Sequence, residues 1–423
     1  MNLRDLAINQ YFHGWRLVGF SATSQFIAMG FTIYILGLYI QPMAAEFNVS
    51  PGTLGWGMGF FYLMNSLVGP VVGYWVDKGK ARLVMSLGAC VFALGFILMG
   101  LSNSLLFAAL VCIFLLAPGA CMLAVLPCAT LLVQWFEKRQ SFAVGLAAIG
   151  ISAGGFVMPP IANALIESVG WRSSLIILGV FVAAFLLPLA SLMVVGRPNE
   201  IGQHPDGEAQ AAVDDKEPDN DIESHASTPT DSITTRWILS QKSFWLLTGC
   251  IGLLSLCSIM MVTFIVPYAR VNGLSNELSA WLISLYAGSA IAGKFLLGWF
   301  GDKYSKRKIM VLVQLIATVG WLFMILIKTT PALMASAALV GFAVGGMTPL
   351  WATLIALHFS PKAFGRVKGI MTLAMTVFLI IPGPLGGYLY DTFGSYETGF
   401  VLAWWALPLG VLCAFLLPDK ESS

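Results

Sequence analysis

The chain has 423 residues, 58% of them hydrophobic and only 10% charged, with a net charge of +2. Soluble domains carry roughly 25% charge, so this composition excludes an ordinary water-soluble globule and places the chain among membrane proteins. The near-neutral balance offers no basic surface for nucleic acid, and none is expected as a partner.

Apolar runs near or above ~20 residues recur along the chain, each long enough to cross a ~30 Å hydrocarbon core as a helix. They predict about twelve helices in an all-α membrane protein, at 17–44, 54–76, 83–101, 104–133, 141–166, 173–196, 243–268, 278–300, 308–327, 331–357, 366–388 and 395–417. The first run is already long enough to span, so no cleavable signal peptide is expected. Pro118, Pro127, Pro159, Pro160, Pro267, Pro349, Pro382 and Pro384 interrupt these runs. Prolines are tolerated in membrane helices where neighbours satisfy the freed backbone groups.

Between the sixth and seventh runs lies the one long polar stretch, acidic and rich in Pro, Ser and Asp. It has too little apolar surface to fold alone. It predicts a flexible linker, 197–241, between an N-terminal six-helix bundle (1–196) and a C-terminal one (242–423). Of the 23 Lys and Arg residues, Arg172, Arg270 and Lys328 fall on one side of the expected topology and Lys294 falls within a helix. The rest share the other side. By the positive-inside rule that side, with both termini and the linker, is cytoplasmic. This predicts an integral protein of the cytoplasmic (inner) membrane, as a monomer.

Two segments repeat at an offset of about 225 residues. Gly73-Tyr-Trp-Val-Asp77-Lys78 follows the second helix and Gly298-Trp-Phe-Gly-Asp302-Lys303 follows the eighth. Phe136, Gly145, Pro160 and Gly170 pair with Phe359, Gly369, Pro384 and Gly394. Duplicated units with a site between them at mid-membrane are a transporter design. In each copy the glycine permits close helix approach, and the aspartate can accept from a helix N-terminus or pair with a basic residue. Gly73, Asp77, Arg82, Gly298, Asp302 and Arg307 are therefore expected to form a conformational latch.

Lys294 is the only charged residue near the middle of any run. A charge at the bilayer centre costs roughly 2.5–3.5 kcal/mol and usually faces a cavity, partner or substrate. The alternative is a lysine snorkelling toward Gly301-Asp302, ~9 Å away along the helix. Gly288 to Lys294 mimics a phosphate-binding loop, but Phe295 stands where Ser or Thr is needed and the run is an apolar helix. Tyr286 lies two turns before Lys294 on roughly the same face. Tyr34, Asn65 and Trp351 are further candidates for contact with a substrate, each equally open to a structural role. The seven cysteines lie in apolar runs without metal-like spacing, and no nucleophile–base array stands out, so no cofactor, metal or enzyme is expected.

The paired Gly-x-x-x-Asp elements and twelve runs resemble the major facilitator superfamily over nearly the whole chain. A narrower resemblance, to monocarboxylate porters, rests on Gly14-Trp15, on Trp135-Phe136 with Lys138-Arg139 and Ala143-x-Gly145, and on Gly150, Gly154-Gly155, Pro159-Pro160 and Gly170-Trp171-Arg172. In that group an arginine of the eighth helix holds the substrate carboxylate, with an aspartate one turn earlier. Lys294 and Ala290 occupy these positions here. The resemblance implies a secondary transporter for a small monocarboxylate anion, working by alternating access. The central segments hold Lys294 and no carboxylate, so a proton is expected to travel on that lysine with the anion. An exporter of drugs or lipophilic metabolites shares the fold and stays open, as does a sensor without flux.

Overall fold

The computed structural model describes residues 12–136, 139–207, 235–359 and 364–419, and every long element among them is a helix. In lipid each backbone N–H and C=O must be satisfied within its own segment, which a helix does and an open sheet does not. In chain order these are α1 (His13–Gly30), α2 (Leu36–Phe47), α3 (Pro51–Asp77), α4 (Ala81–Gly100), α5 (Leu105–Val111), α6 (Ala117–Leu123), α7 (Val125–Trp135), α8 (Gln140–Phe181) and α9 (Leu187–Met193). Then follow α10 (Thr235–Ser240), α11 (Lys242–Val271), α12 (Asn276–Lys303), α13 (Lys306–Leu326), α14 (Thr330–Phe359), α15 (Phe364–Ile380), α16 (Pro382–Phe393), α17 (Glu397–Trp404) and α18 (Ala406–Phe415). Among the described residues, nine helical stretches are long and apolar enough to cross a membrane. Leu106, Phe114, Leu192, Leu326 and Phe415 lie exposed on the outside. Around a bilayer-spanning bundle such side chains face lipid, whereas on a soluble monomer they would be an aggregation liability.

The expected runs are helical, but several are broken for identifiable reasons. The first divides at residues 31–35, a turn between α1 and α2, and places Tyr34 there. The fourth and sixth each contain a π-helical turn, Cys112–Leu116 and Val182–Leu186. Pro118 and Pro188 follow these turns two residues later. A helical proline lacks its N–H and clashes with the carbonyl four residues back, so widening that turn relieves both defects. The runs expected at 141–166 and 173–196 join without a loop at Gly170, whose φ of 80° and ψ of 162° suit only glycine.

The segment 197–241 is described only at its two ends. Residues 208–234 lie outside the described residues, but the ends on either side are ordered. Pro198–Ile201 and Pro205–Gly207 form short turns. α10 buries Ile238 completely. A few apolar residues at each end suffice to dock them on the bundle.

The internal repeat extends to backbone and packing. Gly170 and Gly394 both take positive φ, as do Asn48 and Gly273, 225 residues apart. Arg82 donates to the Ser191 carbonyl, while Arg307 stacks 5.2 Å from the Phe415 ring centre, an equivalent place.

α12 is set against α14 at backbone contact. A Cβ on Gly341 or Gly345 would lie 2.1 or 2.0 Å from the carbonyl oxygens of Tyr286 and Ala290. Only glycine permits that approach. With one face of α12 fixed in this way, the Lys294 side chain turns toward α8.

Candidate functional site

Lys294 does not snorkel along its own helix. Its Nζ crosses to α8 and donates to Ser152 Oγ at 2.9 Å and to the Ala148 carbonyl at 3.5 Å. Ser152 is buried and Lys294 half-buried. Both acceptors are neutral. Among the described residues no carboxylate lies within ion-pair distance of this ammonium, and its hydrogen-bond partners there are those two oxygens. Ala290, the position one turn earlier, is buried against Gly345 and brings no charge.

One turn along α8 from Ser152, Gly155 faces both Ala287 of α12 and the hydroxyl end of the Tyr34 ring; a Cβ there would stand 2.7 Å from Tyr34 Cζ. Tyr286 is buried with its hydroxyl bonded to Ser258 of α11. Tyr34, Tyr286 and Tyr62 of α3 lie within electrostatic reach of one another. So Lys294, Tyr34 and Tyr286 are brought to one region, between the helices of the two sequence repeats. Tyr62, Ser152 and Ser258 join them.

The other expected site residues go elsewhere. Asn65 donates to the Ala117 carbonyl of α6 at 3.3 Å, beside the first π-helical turn, and holds α3 to α6 within its own repeat. Trp351 of α14 points its Nε1 at Met371 Sδ of α15, 2.9 Å away, with Lys368 Nζ 5.6 Å from its ring centre.

In the expected latch, Gly73 faces Leu126 and Gly298 faces Pro349, equivalent neighbours within each repeat. The side chains of Asp77 and Asp302 lie outside the described residues. Arg82 and Arg307 meet the last helix of their own repeats, as above.

A carboxylate contact between repeats stands at the opposite end of the molecule. Asp391 of α16 accepts from Ser50 Oγ at 2.6 Å and from the Gly52 backbone N–H at 3.4 Å, at the N-terminus of α3. Arg270 donates to Gln41 at 3.2 Å and to Asn163 at 3.0 Å, a second contact between repeats. At the same end Glu46 pairs with Arg172 at 2.7 Å, and that guanidinium holds the Glu46 carboxyl below the usual carboxylate range. The repeat offset could have exposed part of this cluster: Ser50 pairs with Ser275 and Asp391 with Glu167.

A helical membrane bundle that closes one end and keeps an unneutralised cation between its repeats is the architecture of a carrier. Residues 22–275 and 248–423 match the family model described as the Major Facilitator Superfamily. The chain belongs to that superfamily and is a secondary active transporter, not an enzyme.

Its curated relatives are distant. It is 24% identical to Monocarboxylate transporter 12 of Rattus norvegicus over 66% of this chain, and spans 60% of that protein's length. It is 24% identical to Monocarboxylate transporter 13 of Bos taurus, with 92% of this chain and 86% of that one covered. An MFS-type transporter of Gibberella moniliformis is also 24% identical, over 82% of this chain and 78% of its own length. Among solved structures, a bacterial homologue of the human lysosomal transporter Spinster, in an inward-facing and occupied conformation, superposes with a TM-score of 0.73. That match covers 97% of each chain at 15% identity and bears on the fold alone.

Proposed function

We propose that this transporter moves a small monocarboxylate anion by alternating access, with Lys294 as the group that holds the carboxylate. The observation that carries this reading is the Lys294 ammonium, bonded between the repeats to neutral oxygens only. A cation at this depth is costly unless an anion or polar groups compensate it. A carboxylate taking the place of the Ser152 hydroxyl gains a charge-assisted hydrogen bond, roughly twice as strong as a neutral one. The names of several relatives support the same class of substrate.

The reading includes twelve crossings in two six-helix units, 1–196 and 242–423, with both termini and the 197–241 segment on the cytoplasmic side of the inner membrane. The Asp391 and Arg270 end is then the outer one, closed in this conformation. Alternating access opens that end and seals the other, where Gly73, Asp77, Gly298 and Asp302 lie. A proton travels with the anion on Lys294, so the transported pair is electroneutral. The carrier works as a monomer.

The test is uptake of radiolabelled monocarboxylates into proteoliposomes under an inward proton gradient, with wild type beside Lys294→Gln. Gradient-driven uptake that is lost in the variant is the expected result. Uptake that persists unchanged in Lys294→Gln overturns the role of the lysine. Flux of lipophilic cations or neutral drugs in place of every acid moves the assignment to the exporter class.

A further inference from the structure

Tyr34 and Tyr62 are each 8% exposed. Each comes from a different element, the α1–α2 turn and α3, and both lie within electrostatic reach of Tyr286 of α12. Tyr286 has its partner in Ser258. Among the described residues the hydroxyls of Tyr34 and Tyr62 have none. Neither oxygen is among the fully enclosed polar atoms that lack a partner, so each keeps some accessible surface. A tyrosine buried this deeply ordinarily finds an acceptor or donor for its hydroxyl, because leaving it unpaired in an apolar setting costs about 1–3 kcal/mol.

Tyr34 and Tyr286 lie to one side of Lys294. The nearest, Tyr34, meets α8 at Gly155, one helical turn from Ser152. The farthest, Tyr286, starts two turns from Lys294 on the same helix. Along the helix axes this spans roughly 5–12 Å. A lysine on a helix leans toward the N-terminus, so the Lys294 ammonium points in the direction of this phenol face.

We infer that the substrate is an elongated monocarboxylate with a second hydrogen-bonding group at its far end, such as a hydroxyl or carbonyl, held by Tyr34 and Tyr62 while Lys294 holds the carboxylate. This deepens the carboxylate reading and rests on it. A 2-hydroxy acid carries its two polar groups on adjacent carbons and reaches only the Lys294 end. A chain of about five carbons, or a ring substituted opposite the carboxylate, covers the interval between the two anchors. Phenol hydroxyls both donate and accept, so the face takes either a hydroxyl or a carbonyl. A site built to bond such a group discriminates strongly against an analogue lacking it, because its own hydroxyls are then left unpaired.

The test compares uptake of 5-hydroxypentanoate, pentanoate and 2-hydroxypropanoate by wild type, Tyr34→Phe and Tyr62→Phe, each checked for monodispersity in detergent. The quantity read is the ratio of kcat/KM for 5-hydroxypentanoate over pentanoate. Wild type is expected to favour the hydroxylated acid about ten-fold or more, and either variant to bring the ratio close to one. A purely structural role for the tyrosines would lower both uptakes together and leave the ratio standing, which overturns the inference. A wild-type ratio near one, or a preference for 2-hydroxypropanoate, also overturns it. Lys294→Gln separates this from failure of the carboxylate reading. Pentanoate uptake lost in that variant keeps the carboxylate reading whatever the ratio does, while pentanoate uptake indifferent to it removes both.

Discussion

Two helix pairs join the repeats in different ways. α3 and α16 meet through glycines: a Cβ on Gly55 would stand 2.3 Å from the Gly383 carbonyl oxygen, and one on Gly387 2.3 Å from the Gly52 Cα. α8 and α12 also approach at glycines, Gly155 against Ala287 and Gly288 against Phe156, but they keep larger side chains between them. Phe156 packs edge-on against Trp281, and Lys294 reaches Ser152. Bare backbone contact excludes water and leaves no room for a ligand, so the first pair suits a seal. The second pair keeps polar groups between the helices and suits a site. One carrier thus uses the same kind of symmetry-related interface for two tasks, and glycine against serine and lysine is what separates them.

The sharpest way to break this contrast is to give the seal a side chain. Gly55→Leu forces the Asp391 end apart, because the obstacle is backbone that cannot swing aside. Cross-linking between cysteines placed at Ser50 and Asp391 should fall several-fold, and uptake by about ten-fold or more through loss of the closed state. Unchanged cross-linking would mean that α3 and α16 do not form the seal.

A milder break is Asp391→Asn. It keeps the shape and removes the charge at the α3 N-terminus, which is worth ~0.3–1 kcal/mol and up to ~2 when partly buried. Labelling of a cysteine at Gln41 should rise roughly three- to five-fold as the closed population shrinks. Labelling equal to wild type would reduce the Asp391 contact to packing.

On the site side, Ser152→Ala removes the hydroxyl that occupies Lys294 in the empty carrier. Anion binding should tighten about two- to five-fold, since less is given up on binding, while the melting temperature without ligand falls. Weaker binding would instead make Ser152 a ligand of the substrate.

The smallest effect is expected from Glu46→Gln, at the rim of the closed end. The Glu46–Arg172 pair is exposed, so its loss should lower the detergent melting temperature by only ~1–2 °C near neutral pH. Its carboxyl is held below its ordinary value, so the stability it contributes is full above the unfolded-state range and fades as pH falls through the folded value. The difference between wild type and variant should close in acid. A difference that grows in acid would contradict the assigned pairing.

Much of the architecture was legible because it depends on period and composition. Apolar runs make helices in lipid whatever surrounds them. The repeat was legible from Gly73, Asp77 and their copies, and the positive φ at both Gly170 and Gly394 follows it. Lys294 stood out because a charge in an apolar run is costly on any packing. Ser152, Ser258 and Tyr62 gave no such signal. Serine and tyrosine are chemically quiet in a hydrophobic run, and which way they face depends on how helices distant in sequence come together. Asn65 and Trp351 show the same limit from the other side: equally polar, they turn to partners in their own repeat. Joining the fifth and sixth runs at Gly170 and widening the helix ahead of Pro118 and Pro188 were likewise decided locally but seen only in three dimensions.

The amino-acid sequence by itself determined a helical membrane protein built from a repeated unit with one costly cation, since burial in lipid and chain periodicity act segment by segment. Tertiary structure alone decided that this cation meets a neutral serine, that two phenols keep some accessible surface, and that the closed end is held by Asp391 against a helix N-terminus. Those outcomes depend on which faces of helices more than a hundred residues apart pack together, and that is settled by glycine contacts and side-chain shape across the whole bundle.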